Sequence, residues 1–342
     1  MKRTRPTMKD VAQRAGVSTA TVSLVVRGSS QIPDDTAARV RAAMSELGYV
    51  YNRLAGNLRG GTTPTFGLLV TNPRNPYFAE VIMAIERSLA DTEEMVVTAF
   101  SLGGARREHT MATKLAGQGI SGLLFMSSSE YTDDQLDSLS RSLGIPVTML
   151  IHASAPQHDS VLIDDRAAGR LLGAHLAEIG VRRIAFLGGY ADRLNVTARL
   201  DGLRESLAAV PDAEVIHIPD ELLSYEFTTG ATLTDQALAL EGGPPDAIVC
   251  FNDAYAVGVY ASLRRAGVSP GEEIAVAGFD DIPLAQELGV PLTTVNTRPA
   301  QIGLTALDVL RHRIAHPQSP PRTEIMDPEL VVRDSTTMWG PR

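Results

Sequence analysis

Residues 7–23 read Thr-Met-Lys-Asp-Val-Ala-Gln-Arg-Ala-Gly-Val-Ser-Thr-Ala-Thr-Val-Ser, a pattern typical of two short helices joined by a tight turn. Apolar residues recur at helical spacing from Met8 to Ala15 and predict the first helix. Gly16 permits a sharp turn after it, and Ser18 can cap the helix that follows. The stretch therefore predicts a helix-turn-helix unit.

The second helix of this unit is expected to carry a small, polar outer face. The residues on that face are Thr19, Ala20, Thr21 and Ser23. Val22, Val25 and Val26 are expected to point back towards the core of the unit. A helix of this shape fits the major groove of DNA.

The distribution of charge supports the same interpretation. Residues 1–62 contain ten Lys or Arg against four Asp or Glu, whereas residues 63–342 contain 21 against 36. The first segment is thus +6 and the remainder −15, within a total of −9. A short basic module on an acidic body is expected when only one end of a protein approaches phosphates.

The composition limits the class of protein. A chain of 342 residues with 44% hydrophobic but only 5% aromatic residues suits two or three domains of α/β type. No apolar run approaches the roughly 20 residues that span a bilayer, and no signal segment is recognised, so a cytoplasmic protein is expected. Cys250 is the only cysteine and is expected to be inert core in a buried strand.

After the helix-turn-helix, Pro33 to Gly48 predicts a third helix, which completes a compact headpiece over residues 1–50. Residues 51–63 begin like a short helix and finish in Gly and Thr, and they predict a hinge helix or linker. From residue 64 onward, apolar strands alternate with amphipathic helices, which predicts parallel sheets covered on both faces.

The fold predicted from these patterns is an all-α headpiece joined to an α/β core of two doubly wound parallel-sheet lobes. The core is expected over residues 64–342, with lobe one at about 64–162 plus 296–322 and lobe two at about 163–295 plus 323–342. A ligand would lie in the cleft between the lobes, outside the carboxyl ends of the strands.

Motifs that could indicate an enzyme stand in the wrong structural context. Gly117–Gly122 matches a dinucleotide fingerprint, but a helix precedes it and a strand follows, the reverse of what that motif needs. Gly267–Gly271 spells a nucleophile elbow, yet it leads from a helix to a strand. No P-loop and no metal-binding histidine motif is present. Neither a cofactor nor a metal is expected.

Polar and aromatic residues collect where the predicted core strands end. They are Asn72, Tyr77, Phe78, Ser128, Asp164, Arg193, Asn195, Arg199, Tyr225, Asn252, Asp253 and Asp280. Aromatic faces combined with carboxylates, amides and guanidinium groups suit a hydroxyl-rich ligand such as a sugar, or a nucleobase stacked on an aromatic ring.

These features together resemble the lactose and galactose repressor family over essentially the whole chain. The segments that carry the resemblance are Lys9-Asp-Val-Ala12, Ala15-Gly-Val-Ser18, Ala20-Thr-Val-Ser23, Glu46-Leu-Gly-Tyr49, Asn52-Arg-Leu-Ala55, Asn75-Pro-Tyr-Phe78, Gly278-Phe-Asp-Asp281 and Pro291-Leu-Thr-Thr-Val295. Thr21–Leu24 and Leu58–Gly61 are similar to the maltose-regulon repressor subgroup. The family implies a helix-turn-helix headpiece, a hinge helix and a core like the periplasmic sugar-binding proteins.

The resemblance also implies which residues contact DNA. Thr19, Ala20 and Leu24 occupy positions that read major-groove base edges, and Leu58 occupies the position of a leucine wedged into the minor groove. Phosphate contacts are expected from Lys9, Arg27, Arg53 and Arg59, and the full predicted set adds Ser18, Thr21, Ser23, Asn52, Ala55 and Asn57. Leu24 replaces a common arginine and Tyr51 a common proline, which affects the operator sequence rather than the mode of docking.

For the core, the resemblance implies that an effector is bound by Tyr77, Phe78, Ser128, Arg193, Asn195, Arg199, Tyr225, Asn252 and Asp280, to which the strand-end pattern adds Asn72. The predicted function is a homodimeric transcriptional repressor on a pseudo-palindromic operator, controlled by a small, sugar-like effector. No leucine heptads follow Trp339, so a tetramerising extension is not expected. The alternative is a sugar-binding receptor without a DNA function, which would not need the basic headpiece.

Overall fold

The computed structural model describes residues 6–26, 29, 31–50, 64–127, 131–151, 157–190, 193–220 and 227–340. The chain divides into two units, Met1–Thr63 and Pro64–Arg342. The division falls between the linker and the core that the sequence predicts. Each unit is described by itself.

The described part of the first unit contains three helices. They are α1 (Met8–Ala15), α2 (Thr19–Val26) and α3 (Asp34–Leu47). Thr7 and Asp10 form a reciprocal capping box at the start of α1, with Thr7 N–H donating to the Asp10 carboxylate at 2.7 Å. Gly16 and Gly48 end α1 and α3 with φ of 67° and 64°, a left-handed conformation that favours glycine. The three predicted helices are therefore confirmed.

Small apolar residues form the core of the headpiece. Val11, Val22 and Val40 are fully buried, one from each helix, and alanines fill the space between them. Alanine side chains let the helix backbones approach closely, which suits so small a unit. Arg14 and Glu46 join α1 to α3 at 2.7 Å, but both are half-exposed, so this ion pair adds little stability.

The second unit alternates strands and helices as predicted. Its first stretch contains β1 (Thr65–Val70), α4 (Pro76–Leu89), β2 (Met95–Phe100), α5 (Ala105–Ala116), β3 (Gly122–Phe125), α6 (Asp133–Leu143), β4 (Val147–Ile151) and β5 (Ser160–Ile163). Next come α7 (Asp165–Glu178), β6 (Arg183–Leu187), α8 (Leu194–Leu207), β7 (Glu214–Ile218), α9 (Phe227–Leu238), β8 (Ala247–Cys250), α10 (Asp253–Arg265) and β9 (Ala275–Phe279). The chain ends with a 3-10 turn (Pro283–Gln286), β10 (Thr293–Asn296), α11 (Pro299–Ala315), β11 (Thr323–Met326), β12 (Glu329–Val331) and α12 (Asp334–Thr337).

Two six-stranded sheets divide this unit into two lobes. The strand order is β11-β5-β4-β3-β1-β2 in the first and β12-β10-β9-β8-β6-β7 in the second. Every pairing is parallel except that of β10 with β12. The central strands are continuous apolar runs because helices cover both faces. Two doubly wound lobes, as predicted, are confirmed.

The chain crosses between the lobes three times, after β5, after β10 and after β11. The last crossing differs from the prediction, which placed residues from 323 onward in lobe two. Instead, β11 pairs in parallel with β5, with Thr323 opposite Ser160 and Met326 opposite Ile163. After α11 the chain therefore adds an edge strand to the first sheet and crosses only beyond Met326.

None of the helices in the described part of the chain has the length and apolar character that a membrane span requires.

Candidate functional site

Seven of the predicted DNA-contacting residues lie in the described part of the headpiece, at α1, the turn and α2. Lys9, Ser18, Thr19 and Ala20 are exposed, whereas Thr21, Ser23 and Leu24 are half-buried. Their role in DNA binding stays a prediction.

Hydrogen bonds of Ser18 cap the start of α2 and leave the next two side chains facing outward. The Ser18 hydroxyl accepts from Thr21 N–H at 3.0 Å and lies 2.9 Å from the Thr21 hydroxyl, so it caps α2 as predicted. Thr19 and Ala20 follow in the first turn of α2 and project outward. The N-terminal turn of the second helix thus presents two small side chains, which allows a close approach to base edges.

Several predicted site residues lie outside the described residues. On the DNA-binding side they are Arg27, Asn52, Arg53, Ala55, Asn57, Leu58 and Arg59, and on the effector side Ser128 and Tyr225. Their predicted roles stay as predictions.

A cavity of about 100 Å³ lies between the two lobes, at the carboxyl edges of both sheets. All eight described residues of the predicted effector set line it, namely Asn72, Tyr77, Phe78, Arg193, Asn195, Arg199, Asn252 and Asp280. The wall also contains residues that the prediction did not include, namely Thr71, Asn75, Ser127, Ile151, Ile163, Gly189, Tyr190, Val196, Phe251 and Thr297. The structure therefore brings the predicted groups together in one place.

The first turn of α4 supplies the aromatic wall from lobe one. Asn75 caps this helix by accepting from Tyr77 N–H at 3.0 Å, and Pro76 occupies the first helical position. The cap directs Tyr77 and Phe78 into the cleft, with their rings edge to face at 5.5 Å. The buried Tyr77 hydroxyl makes no hydrogen bond of good geometry with the described residues. Burial raises the pKa of Tyr77, so this hydroxyl stays protonated and can donate.

Close packing of α7 on α8 positions Arg199. A Cβ atom at Gly169 would collide with the carbonyl oxygen of Arg199, so the two helices meet this closely only because glycine is present. The approach places the Arg199 guanidinium against Asp165, with Nε donating to Oδ1 at 2.7 Å. Both side chains are at least nine-tenths buried. This is a buried ion pair behind the pocket wall.

Further contacts hold the Arg199 guanidinium in place. Nη1 donates to the backbone carbonyl of Phe251 at 2.6 Å. The group also lies over the rings of Phe251 and Phe279, at 5.0 and 4.4 Å from their centroids. Burial raises the pKa of Asp165, and the Arg199 charge opposes that rise. Two of the donors of Arg199 are therefore already engaged by the protein.

Asp280 supplies a carboxylate from lobe two. It directly follows β9 and has a φ of 109°, a strained conformation for a residue with a Cβ atom. Its own N–H donates to the Val295 carbonyl at 2.9 Å, which fixes the strained turn. The Thr297 hydroxyl donates to Oδ1 at 3.3 Å.

The environment of Asp280 controls its charge. Burial raises the pKa of Asp280 to about 7, although the Arg199 charge and the hydrogen bonds from Asn75 and Thr297 lower it. Asp165 acts in the opposite direction by repulsion. The pocket wall therefore contains a carboxyl group that titrates near neutral pH.

Two of the strand-end carboxylates do not line the cavity. Asp164 caps α7 by accepting from Ala167 N–H at 2.7 Å. Asp253 is buried beneath the wall, where it accepts from the Thr294 hydroxyl at 2.7 Å and Ile282 N–H at 3.0 Å. Burial, reinforced by Asp280, raises the pKa of Asp253 well above its usual value. Both carboxylates have structural roles. A position at the end of a strand does not by itself distinguish them from the residues that line the cavity.

The enzyme-like motifs connect helices to strands, as predicted. Gly117 caps α5 and Gly122 opens β3, so the fingerprint runs from helix to strand. Ala266 caps α10 ahead of the second motif, and β9 follows it. Cys250 is fully buried in β8, as expected, and burial raises its pKa. Among the described residues, no three potential metal ligands cluster.

Comparison with protein families gives a match at each end of the chain. Residues 7–52 match the model described as bacterial regulatory proteins of the lacI family. Residues 174–336 match the periplasmic binding protein-like domain.

Named relatives match nearly the whole chain. A protein named HTH-type transcriptional repressor PurR from Photobacterium profundum is 31% identical over 96% of this chain and 98% of its own length. A protein named ribose operon repressor from Escherichia coli K12 is 34% identical over 96% of this chain and 99% of its own length. Among solved structures, a lac repressor dimer bound to operator and an anti-inducer has a TM-score of 0.83 at 26% identity, covering 97% of this chain and 99% of that one.

Proposed function

We propose, since the chain belongs to the lacI family of bacterial regulatory proteins, that an effector held between its two lobes controls its affinity for operator DNA. The protein is a helix-turn-helix transcriptional repressor with an effector-binding core and is not an enzyme. It binds double-stranded operator DNA as a homodimer. The lacI-family match over residues 7–52 rules out the alternative of a sugar receptor without a DNA function.

The cavity between the lobes carries the proposal. Groups from both lobes meet there, with Tyr77 and Phe78 from lobe one and Arg199 and Asp280 from lobe two lining the same cavity. A ligand there touches both lobes at once, so its binding free energy depends on how the lobes are arranged. That dependence is what an allosteric effector requires.

The effector is a small neutral molecule rich in hydroxyl groups, such as a sugar. Arg199 is already paired with Asp165 and Phe251, so its charge is not free for an anionic ligand. Three amide side chains, Asn72, Asn195 and Asn252, line the same cavity and can donate and accept. An aromatic wall combined with amides and a carboxylate is a common way to hold a sugar ring. The relatives named for ribose and the sugar-bound neighbour structures support this class.

On the DNA side, Thr19, Ala20 and Leu24 read base edges in the major groove, and Leu58 enters the minor groove at the centre of a pseudo-palindromic operator. The small exposed side chains at the start of α2 support this assignment. Lys9 and Arg27 contact DNA phosphates. Because the partner is genomic DNA, the protein works in the cytoplasm.

A ligand screen followed by an operator assay tests the function. Thermal shift with pentoses, hexoses, nucleobases and sugar phosphates identifies the class, because a ligand of the folded state raises its stability. Operator affinity is then measured with and without the hit. A neutral sugar that raises the melting temperature and changes operator affinity is the expected result. Stabilisation by sugar phosphates alone contradicts the neutral class.

A further inference from the structure

Ile151 lines the cavity in a backbone conformation that is unfavourable for its side chain. It is the last residue of β4 and has a φ of 82°, which makes it the only β-branched residue with a positive φ in the described part of the chain. The branched Cβ crowds the backbone in this region, so the residue is strained. Such strain persists where the surrounding structure holds a residue in place, and it is concentrated at ligand sites. The side chain of Ile151 is therefore a candidate for a role in binding.

Ile151 belongs to an apolar part of the cavity wall. Ile163 ends the neighbouring strand β5, which pairs in parallel with β4, and it lines the same cavity. Val196 and Phe251 line it from lobe two, and they meet over Gly189, where an added Cβ would lie 2.4 Å from Val196 Cγ2 and 3.1 Å from the Phe251 ring. We call these four apolar side chains the apolar sector. A ligand hydroxyl against them would lose its water without gaining a hydrogen bond.

The polar part of the wall is a set of hydrogen-bond donors. Three asparagine side chains line the cavity, and in each the amide oxygen accepts a backbone N–H from its own segment of chain. The distances are 3.0, 3.0 and 3.2 Å for Asn72, Asn195 and Asn252. Because the oxygens are occupied in this way, the amide N–H groups can donate to oxygen atoms of a ligand. The cavity thus combines donors for ligand oxygens with a surface for a group that carries no oxygen.

We propose that Ile151 determines the specificity of the cavity by receiving a methyl group of the effector, and that the effector is a hexose in which a methyl group replaces the hydroxymethyl group. We call this class the methyl-bearing deoxyhexoses. The inference rests on the proposed function in one respect, namely that the cleft is the effector site. The ring oxygens of such a sugar accept from the asparagines, and its methyl group lies against the two isoleucines. The parent hexose has the same ring but must bury a hydroxyl against Ile151, so it binds more weakly.

Paired sugars test this class directly. The pairs are D-galactose with D-fucose, L-galactose with L-fucose, and L-mannose with L-rhamnose, each a hexose and the deoxyhexose of the same ring configuration. Isothermal titration calorimetry of the full-length chain gives the Kd of every sugar. In the pair that contains the tightest binder, the deoxyhexose should bind about 10- to 100-fold more tightly than its parent.

Variants at Ile151 assign the preference to this residue. Asparagine adopts a left-handed backbone more readily than isoleucine, and its amide can hydrogen-bond the extra hydroxyl, so Ile151→Asn should reduce the ratio of the two affinities to about one or invert it. Ile151→Val keeps a branched apolar side chain and should keep the preference of the wild type. A purely structural role would lower both affinities alike and leave the ratio unchanged.

Leu102→Asn is the matched control, because Leu102 also has a positive φ, 59°, but does not line the cavity. Its ratio should equal that of the wild type. The assignment is overturned if no deoxyhexose binds, if each parent hexose binds as tightly as its deoxyhexose, or if Ile151→Asn keeps the wild-type ratio. A parent hexose that binds and changes operator affinity would leave the proposed function standing. A deoxyhexose that binds without changing operator affinity would contradict that function and leave the role of Ile151 intact.

Discussion

Removing Arg199 should destabilise the second lobe strongly, because it leaves Asp165 buried without its partner. The Nε to Oδ1 distance is 2.7 Å and both side chains are at least nine-tenths buried. Breaking such a pair from one side costs about 3–5 kcal/mol. We therefore expect Arg199→Met to lower the free energy of unfolding by about that amount. Asp165→Asn keeps an oxygen that Arg199 can donate to and should cost less, about 1.5–3 kcal/mol.

The double variant Arg199→Met, Asp165→Asn should cost less than Arg199→Met alone, because the buried, unpaired charge of Asp165 is then gone. Urea unfolding can be followed through Trp339, the only tryptophan, which packs against the core. Arg204→Met is the control, since Arg204 lies exposed on the same helix and should change stability by less than about 0.5 kcal/mol. If Arg199→Met is no more destabilising than Arg204→Met, the buried ion pair is not what holds α7 against α8.

Three further perturbations have defined outcomes. Burial raises the pKa of Asp280 from 3.8 to about 7, so its protonation stabilises the fold fully below pH 3.8 and this stabilisation is lost as the pH rises through 7. The free energy of unfolding of the wild type, measured with urea, should therefore fall by about 4 kcal/mol between pH 4 and 8, and Asp280→Asn should remove that fall. Parallel pH curves for the two proteins would contradict this. Gly169→Ala should cost at least about 1–3 kcal/mol in the same assay because its Cβ meets the Arg199 backbone, whereas Gly289→Ala, with open space around it, should be nearly neutral. Leu58→Ala should weaken operator binding far more than binding to random duplex in fluorescence anisotropy, since a wedge at the operator centre acts on the specific complex, and equal losses on both would exclude the wedge.

Local patterns were sufficient to predict the headpiece helices, the alternation of strands and helices in the core, and eight of the 18 residues that line the cavity. Helical spacing, the Gly16 turn and the Ser18 cap define the headpiece within a few residues of chain, so they are readable from the sequence. The cavity residues Tyr77 and Asp280 could be predicted because the carboxyl ends of parallel strands meet at one edge of a sheet.

What the sequence could not supply depends on contacts between distant segments. Asp165 directly follows the predicted strand-end residue Asp164, but its pairing with Arg199 appears only once two glycine-containing helices are packed together. The edge strand β11 was assigned to the wrong lobe because an exposed strand of four residues has no pattern that identifies its partner sheet.

The central claim is that a molecule bound between the lobes changes how tightly the headpiece holds its operator. The direct measurement is an anisotropy titration of a selected operator duplex with the full-length chain, with and without the neutral sugar that stabilises it in the thermal-shift screen. Coupling free energies of about 1–3 kcal/mol predict a change in operator affinity of roughly 5- to 150-fold. Identical titration curves at a saturating concentration of that sugar would contradict the account.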